Sequence, residues 1–159
     1  MPRLRIVQLT TDGRQLLNDF SSPKPALGTA PQALMQGFAV LPEVEIHVVS
    51  CLQQPVHSPA KLADNVWFHS LHVPKIGWLR TGYQGCVRAV RRKLRQLQPD
   101  IVHGQGTERD CAWCAVWSGY PNVVTLHGNM SEMARVFGAR PGSFAWCARL
   151  RLSPDGPMP

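Results

Sequence analysis

Two stretches decide the fold: Asp100-Ile101-Val102-His103-Gly104-Gln105-Gly106 and Val123-Val124-Thr125-Leu126-His127-Gly128-Asn129. Each is a short β-branched apolar run ending in His-Gly, and each is followed within a few residues by helix-start chemistry. Thr107, with Asp110 three residues on, reads as the N-cap of a helix carrying Cys111 to Trp117 and closing at Gly119. Asn129 with Glu132 resembles a capping box for a helix through Val136 that stops at Gly138. Strand, helix, strand, helix at this spacing predicts a parallel sheet joined by crossover helices.

The segments upstream extend the pattern. Leu4 to Leu9 is strand-like, and a polar loop from Thr10 to Ala30 follows. Pro31 suits a first helical position, and Leu34, Phe38 and Leu41 recur at one helical face until Pro42 stops the helix. Val44 to Val49 and Val66 to Leu71 read as strands, with a loop marked by Pro55 and Pro59 between them. Val87, Val90, Leu94 and Leu97 then fall at helical spacing opposite Arg88, Arg91, Arg92 and Arg95, an amphipathic helix ended by Pro99. The expected fold is α/β, a Rossmann-like parallel sheet with helices on both faces. Its span is residues 1–139, with a poorly ordered or out-of-family tail over 140–159.

The chain has 159 residues, one domain's length, and is 44% hydrophobic and 17% charged, which excludes disorder as its main state. Its net charge of +7 is local. From Asn65 to Gln98 there is no acidic residue, while Lys75, Arg80, Arg88, Arg91, Arg92, Lys93 and Arg95 are basic. The first reading of this stretch is a solvated helix face, the second a contact with anionic membrane lipid, the third phosphate contacts to nucleic acid. Nucleic acid is not expected, because no recognition motif or aromatic stacking surface accompanies the charge. No apolar run approaches the ~20 residues of a membrane span, and the N-terminus does not read as a secretory signal. The expected location is cytoplasmic, with peripheral contact at the inner membrane face through the basic helix.

Five irregularly spaced cysteines argue against a disulfide framework. Cys111-Ala112-Trp113-Cys114 has redox spacing, yet on a helix both sulfurs share one face beside Trp117, which favours buried packing; a zinc site would need a second ligand pair. Trp113 and Trp117 read as a core-facing or domain-facing stripe, and Trp78 as an anchor at a membrane interface.

In an open parallel sheet the carboxyl ends of the strands share one edge, and ligands bind there. His103 and His127 are both expected on it. The adjoining glycines allow backbone to approach a ligand, and the following helix N-termini offer free N–H groups to an anion. The plainer account is that each histidine caps a strand end and bonds to backbone.

Pro99-Asp100-Ile101-Val102-His103, a helix, and then Pro121-Asn122-Val123-Val124-Thr125-Leu126-His127-Gly128 resemble the N-terminal, acceptor-side domain of GT-B glycosyltransferases, in particular glycosyltransferase family 4. The resemblance runs from about Arg3 to Gly138. It implies transfer of a sugar from a nucleotide-sugar to an acceptor hydroxyl, with a carbohydrate or lipid-linked acceptor, and with no cofactor or metal beyond the nucleotide-sugar co-substrate. It implies a catalytic position for His127, and acceptor or ligand contacts at His103, Gly104, Gly106, Gly128 and Asn129. The family's glycine-rich phosphate turn has Gly28-Thr29-Ala30 as its counterpart, which makes Gly28 and Thr29 the donor-phosphate contacts. The second, donor-binding domain of the family has no counterpart, so a truncated chain that is weak or inactive alone is expected. The alternative is a non-catalytic α/β module that binds a small phosphorylated or sugar ligand in the same crevice.

Overall fold

The computed structural model describes residues 3–107 and 109–128. A first compact unit extends to Thr125, and a second comprises residues 126–159. The first unit is built on β1 (Leu4–Leu9), β2 (Val44–Leu52), β3 (Lys61–Ala63), β4 (Val66–His72), β5 (Ile101–Gln105) and β6 (Asn122–Thr125). Its helices are α1 (Gly13–Leu17), α2 (Thr29–Ala39), α3 (Gln84–Leu97) and α4 (Asp110–Val116), with 3₁₀ turns at Lys75–Gly77 and Leu79–Thr81. The strand order is β3-β4-β2-β1-β5-β6. All neighbours pair in parallel except β3, which runs antiparallel to β4 at one edge.

This is the expected α/β Rossmann-like sheet. From β1 the chain steps outward through β2 to β4, then returns across the sheet to β5 on the other side of β1. The topological switch point therefore lies between the carboxyl ends of β1 and β5, where a doubly wound sheet opens a crevice. On one face α2 packs Met35, Phe38 and Ala39 against Ile6, Ile46, Val48 and Phe68. On the other, Val87, Val90 and Leu94 of α3 and Cys111, Cys114 and Ala115 of α4 cover Val7, Leu9, Val49 and Val102. Fully burying a side chain such as Leu94 or Ile46 stabilises by roughly 1.5–3 kcal/mol.

Several boundaries differ from expectation, each for a local reason. α2 begins two residues before Pro31, because Gly28 takes the extended N-cap conformation and a third-position proline still lacks only an N–H that has no intrahelical partner. α1 lies inside what reads as loop, and it is held by Asp12, whose side chain caps Arg14 N. β3 is a three-residue edge that exists through pairing with β4. Trp78 is not an exposed anchor: it is 4% exposed, donates from Nε1 to Val73 O at 2.8 Å and meets Tyr83 edge-on. Ile76 and Leu79, on either side of it, are the exposed apolar residues of that loop. Nor are Trp113 and Trp117 core-facing; they stack edge to face on the exposed side of α4, while Cys111 and Cys114 are buried. The expected helix beginning at Asn129 and the tail over 140–159 lie outside the described residues.

Under α3 the sheet carries a polar relay. His47 Nε2 lies 2.8 Å from Glu45 Oε1, His47 Nδ1 lies 2.9 Å from His69 Nε2, and Arg5 Nε donates to Glu45 Oε1 at 2.6 Å. Burial, with Lys93 and His47 adding repulsion, lowers the His69 imidazole from 6.5 to about 4, and burial lowers His47 as well. Between these values the unfolded chain takes up a proton that the folded chain refuses, so stability falls as pH drops from about 6.5 towards 4. Urea unfolding across that window is expected to show this slope in the wild type and most of it lost in His69→Phe; equal slopes would contradict the assignment.

Candidate functional site

The site lies at the switch point. β5 is longer than the sequence suggests, because Gly104 pairs in register with Leu9 of β1 and Gln105 with Thr125 of β6. His103 is therefore within the strand and not at its end. It stands in register with Gln8 of β1 on one side and Val123 of β6 on the other. Because side chains alternate along a strand, His103 and Gln105 face away from α4, whereas Val102 and Gly104 face towards it.

On that face, beside α2, three strands contribute one polar group after another: Gln8 and Gln105 are buried, His103 and Thr125 half-buried. His103 Nε2 is 2.6 Å from Thr125 Oγ1, and Gln105 Nε2 is 3.2 Å from His103 Nε2. Gln8 is fully buried and donates from Nε2 to Pro31 O at 3.2 Å, while its Oε1 has no hydrogen-bond partner among the described residues. An imidazole, two amides and a hydroxyl can both donate and accept, which suits a ligand rich in hydroxyl groups. Sequence reading finds His103 but not Gln8, Gln105 or Thr125. The available signal is a glutamine in the apolar second half of β1 and another two residues after His103 on β5.

The opposite side of the crevice is made by the turn after β1. Asp12 and Arg14 form a buried pair, Nη2 to Oδ2 at 2.7 Å, with side chains 0% and 2% exposed. Arg14 also donates to Ser22 O and Ser58 Oγ at 2.9 Å, so its charge is occupied within the protein. Ala26 N donates to Asp12 Oδ1 at 3.3 Å, and Asp12 bridges Leu27, which sets the start of α2 beside the end of β1. Gly28 is the N-cap of α2, with no side-chain cap and no acidic residue in the first turn. Thr29 and Ala30 thus present the positive end of an 11-residue helix.

The glycines divide by role. Gly106 has φ +82 and donates from N to Thr125 O at 2.9 Å, a backbone conformation that favours glycine. A Cβ on Gly104 would lie 2.9 Å from both Ala115 Cβ and Cys111 O, so this glycine admits α4 against the sheet. Thr107 does not cap α4. The helix starts at Asp110 after Arg109, and the Asp110 carboxyl turns inward to the thiols of Cys51 and Cys86. Arg109 places its guanidinium 5.0 Å from the Trp78 ring centre. His127 is exposed and Gly128 half-buried; both belong to the second unit, and Asn129 lies outside the described residues.

Burial raises the thiols of Cys111 and Cys114 well above the usual range, with Asp110 adding to the effect. Neither is a thiolate near neutral pH, so the pair packs and lacks the chemistry of a dithiol reductant. Arg88, Arg91, Arg92 and Arg95 are all exposed along α3 and make no ion pair among the described residues. Arg88 and Arg92 line a groove of about 550 Å³ with His72, Ile76 and Gly85.

A mostly parallel sheet wound outward on both sides of β1 makes this a Rossmann-like domain. The model of Glycosyltransferase Family 4 matches residues 36–153, well over half of the chain, and the chain belongs to that family. The match begins inside α2, so β1 and the Gly28-Thr29 helix start precede it, and it continues beyond Gly138 into the segment read as tail. No curated protein and no solved structure matches the chain.

Proposed function

We propose that this glycosyltransferase-type domain forms the acceptor side of an enzyme that moves a sugar from a nucleotide-sugar to an acceptor hydroxyl. The observation that carries the reading is the row Gln8, His103, Gln105 and Thr125 at the switch point of a family 4 sheet. Transfer requires an oriented hydroxyl, stabilisation of a sugar that gains positive charge, and compensation of the leaving diphosphate. The half-buried members of the row, His103 and Thr125, orient a carbohydrate acceptor through its hydroxyls, and the buried Gln8 and Gln105 stand behind them. The α2 N-terminus at Gly28 and Thr29 faces the diphosphate with main-chain N–H groups. The family resemblance assigns His127 the catalytic role and Gly128 a ligand contact. No cofactor is required beyond the nucleotide-sugar.

A single Rossmann-like unit supplies one wall of such a cleft. The 159-residue chain alone is therefore expected to transfer sugar from nucleotide donors at or near the uncatalysed rate. Robust transfer by the purified chain would overturn the one-wall assignment.

The exposed arginines of α3 and the exposed Ile76 and Leu79 favour an acceptor presented at an anionic membrane, and so a peripheral, cytoplasmic-face location. Each basic group near such a surface contributes about 1 kcal/mol. Co-sedimentation with vesicles containing anionic lipid is expected for the wild type and not for Arg88→Glu/Arg92→Glu. Equal pelleting with neutral vesicles would remove the membrane from the account.

A further inference from the structure

Behind the crevice, three elements bring together side chains that are far apart in sequence. Cys51 lies near the end of β2, Cys86 in the first turn of α3, and Asp110 is the first residue of α4. Their two sulfurs and a carboxylate oxygen all lie within 4.8 Å of one another, and all three residues are buried. The neighbouring Cys86 thiol and burial push the Cys51 thiol well above its usual range, and burial raises the Asp110 carboxyl, so each stays protonated until a cation displaces its proton. Asp110 makes no ion pair among the described residues. A buried carboxylate that lacks a paired cation is costly unless its hydrogen bonds are complete or a metal neutralises it.

We propose that Cys51, Cys86 and Asp110 form a binding site for a borderline-soft divalent cation of the zinc class. Tetrahedral zinc with sulfur at ~2.3 Å and oxygen at ~2.0–2.2 Å separates its ligand atoms by ~3.4–3.8 Å. Side-chain movements of roughly 1 Å close the observed cluster to that size. Two thiolates and a carboxylate around a dication leave one net negative charge, and Arg109 acts on Asp110 with the opposite sign. Binding forms two metal–sulfur bonds and releases the two S–H protons and the Asp110 carboxyl proton to solvent. Three protein ligands leave a fourth position for water. The ion joins the end of β2 to the starts of α3 and α4, and Cys51, Cys86 and Asp110 occur at no motif spacing a sequence reading could recognise.

Co²⁺ and Zn²⁺ added to the tag-free, reduced full chain test this. One Co²⁺ per chain is expected, with a thiolate-to-metal charge-transfer band that equimolar Zn²⁺ abolishes. X-ray absorption of the Zn²⁺ form is expected to show two sulfur and two lighter ligands, a reading that needs no variant. Cys51→Ser and Cys86→Ser should each weaken Co²⁺ binding by about 100-fold or more, since changing even a residue that only hydrogen-bonds to a ligand costs about 10–100-fold. Cys114→Ser and Cys147→Ser should retain it. Failure of the wild type to bind either ion, zinc scattering with no sulfur or with four, or an unchanged band in Cys51→Ser/Cys86→Ser would overturn the proposal.

Discussion

Asp12→Ala is expected to destabilise the protein by about 3–5 kcal/mol, the largest single effect in the domain. The carboxylate is fully buried and accepts from Arg14 N at 2.9 Å, from Arg14 Nη2 at 2.7 Å and from Ala26 N at 3.3 Å. Removing it leaves a guanidinium that is 2% exposed with Ser22 O, Pro23 O, Ser58 Oγ and the Phe68 ring at 5.9 Å as its partners among the described residues. Most of the cost is that stranded charge, not the loss of a favourable pair. Asp12→Ala/Arg14→Met should therefore recover a large part of the loss, because an apolar side chain removes the unpaired charge. Urea unfolding of the two single variants and the double variant measures this. A loss below about 1 kcal/mol for Asp12→Ala, the range of an exposed pair, would show that the turn is solvated. The same turn positions Leu27 and the start of α2, so its loss is also expected to weaken the anion contact proposed at Gly28 and Thr29.

Gly104→Val is the second large effect, with an expected loss of at least about 1–3 kcal/mol from overpacking. A Cβ there meets Ala115 Cβ and the main-chain oxygen of Cys111, each at 2.9 Å, and backbone cannot rotate aside. α4 must move off β5, carrying Asp110 and Cys111 with it. Gly104→Ala should cost less than the valine, and Ala115→Gly combined with Gly104→Ala should recover part of that cost by removing one of the two contacts. Chemical unfolding of these variants tests the assignment. A neutral Gly104→Ala would restore a ligand-approach role for this glycine and remove the packing one.

The sheet was legible because its strands are the β-branched runs: Val44 to Val49, Val66 to Leu71 and Val123 to Thr125 could form little else. α3 was legible because Val87, Val90 and Leu94 recur on one buried face against exposed arginines. α1 was not, because a five-residue helix with exposed Leu16 and Leu17 has no apolar period; its support is the Asp12 cap. β3 was hidden because its stability comes from a partner strand. For the site, His103 stood out by its His-Gly context. Its partner Thr125 lies one strand away and Gln8 stands across from it on β1, relations fixed by register. Thr107 looked like a cap because Asp110 followed at the right spacing, but that residue opens the helix and its buried carboxyl lies within 4.8 Å of two thiols distant in sequence.

The claim that the carboxyl edge between β1 and β5 is the sugar-nucleotide and acceptor edge has a direct test. Backbone amide shifts of the isotopically labelled chain, recorded while a nucleotide-sugar and then a free sugar acceptor are added, report where each ligand sits. Donor-induced shifts are expected at Thr10–Gly13 and Gly28–Thr29, and acceptor-induced shifts at His103–Gly106 and Thr125, with Glu45, His47 and His69 unmoved. Shifts confined to the Glu45, His47 and His69 relay, or no saturable shift at any position with either ligand, would contradict it.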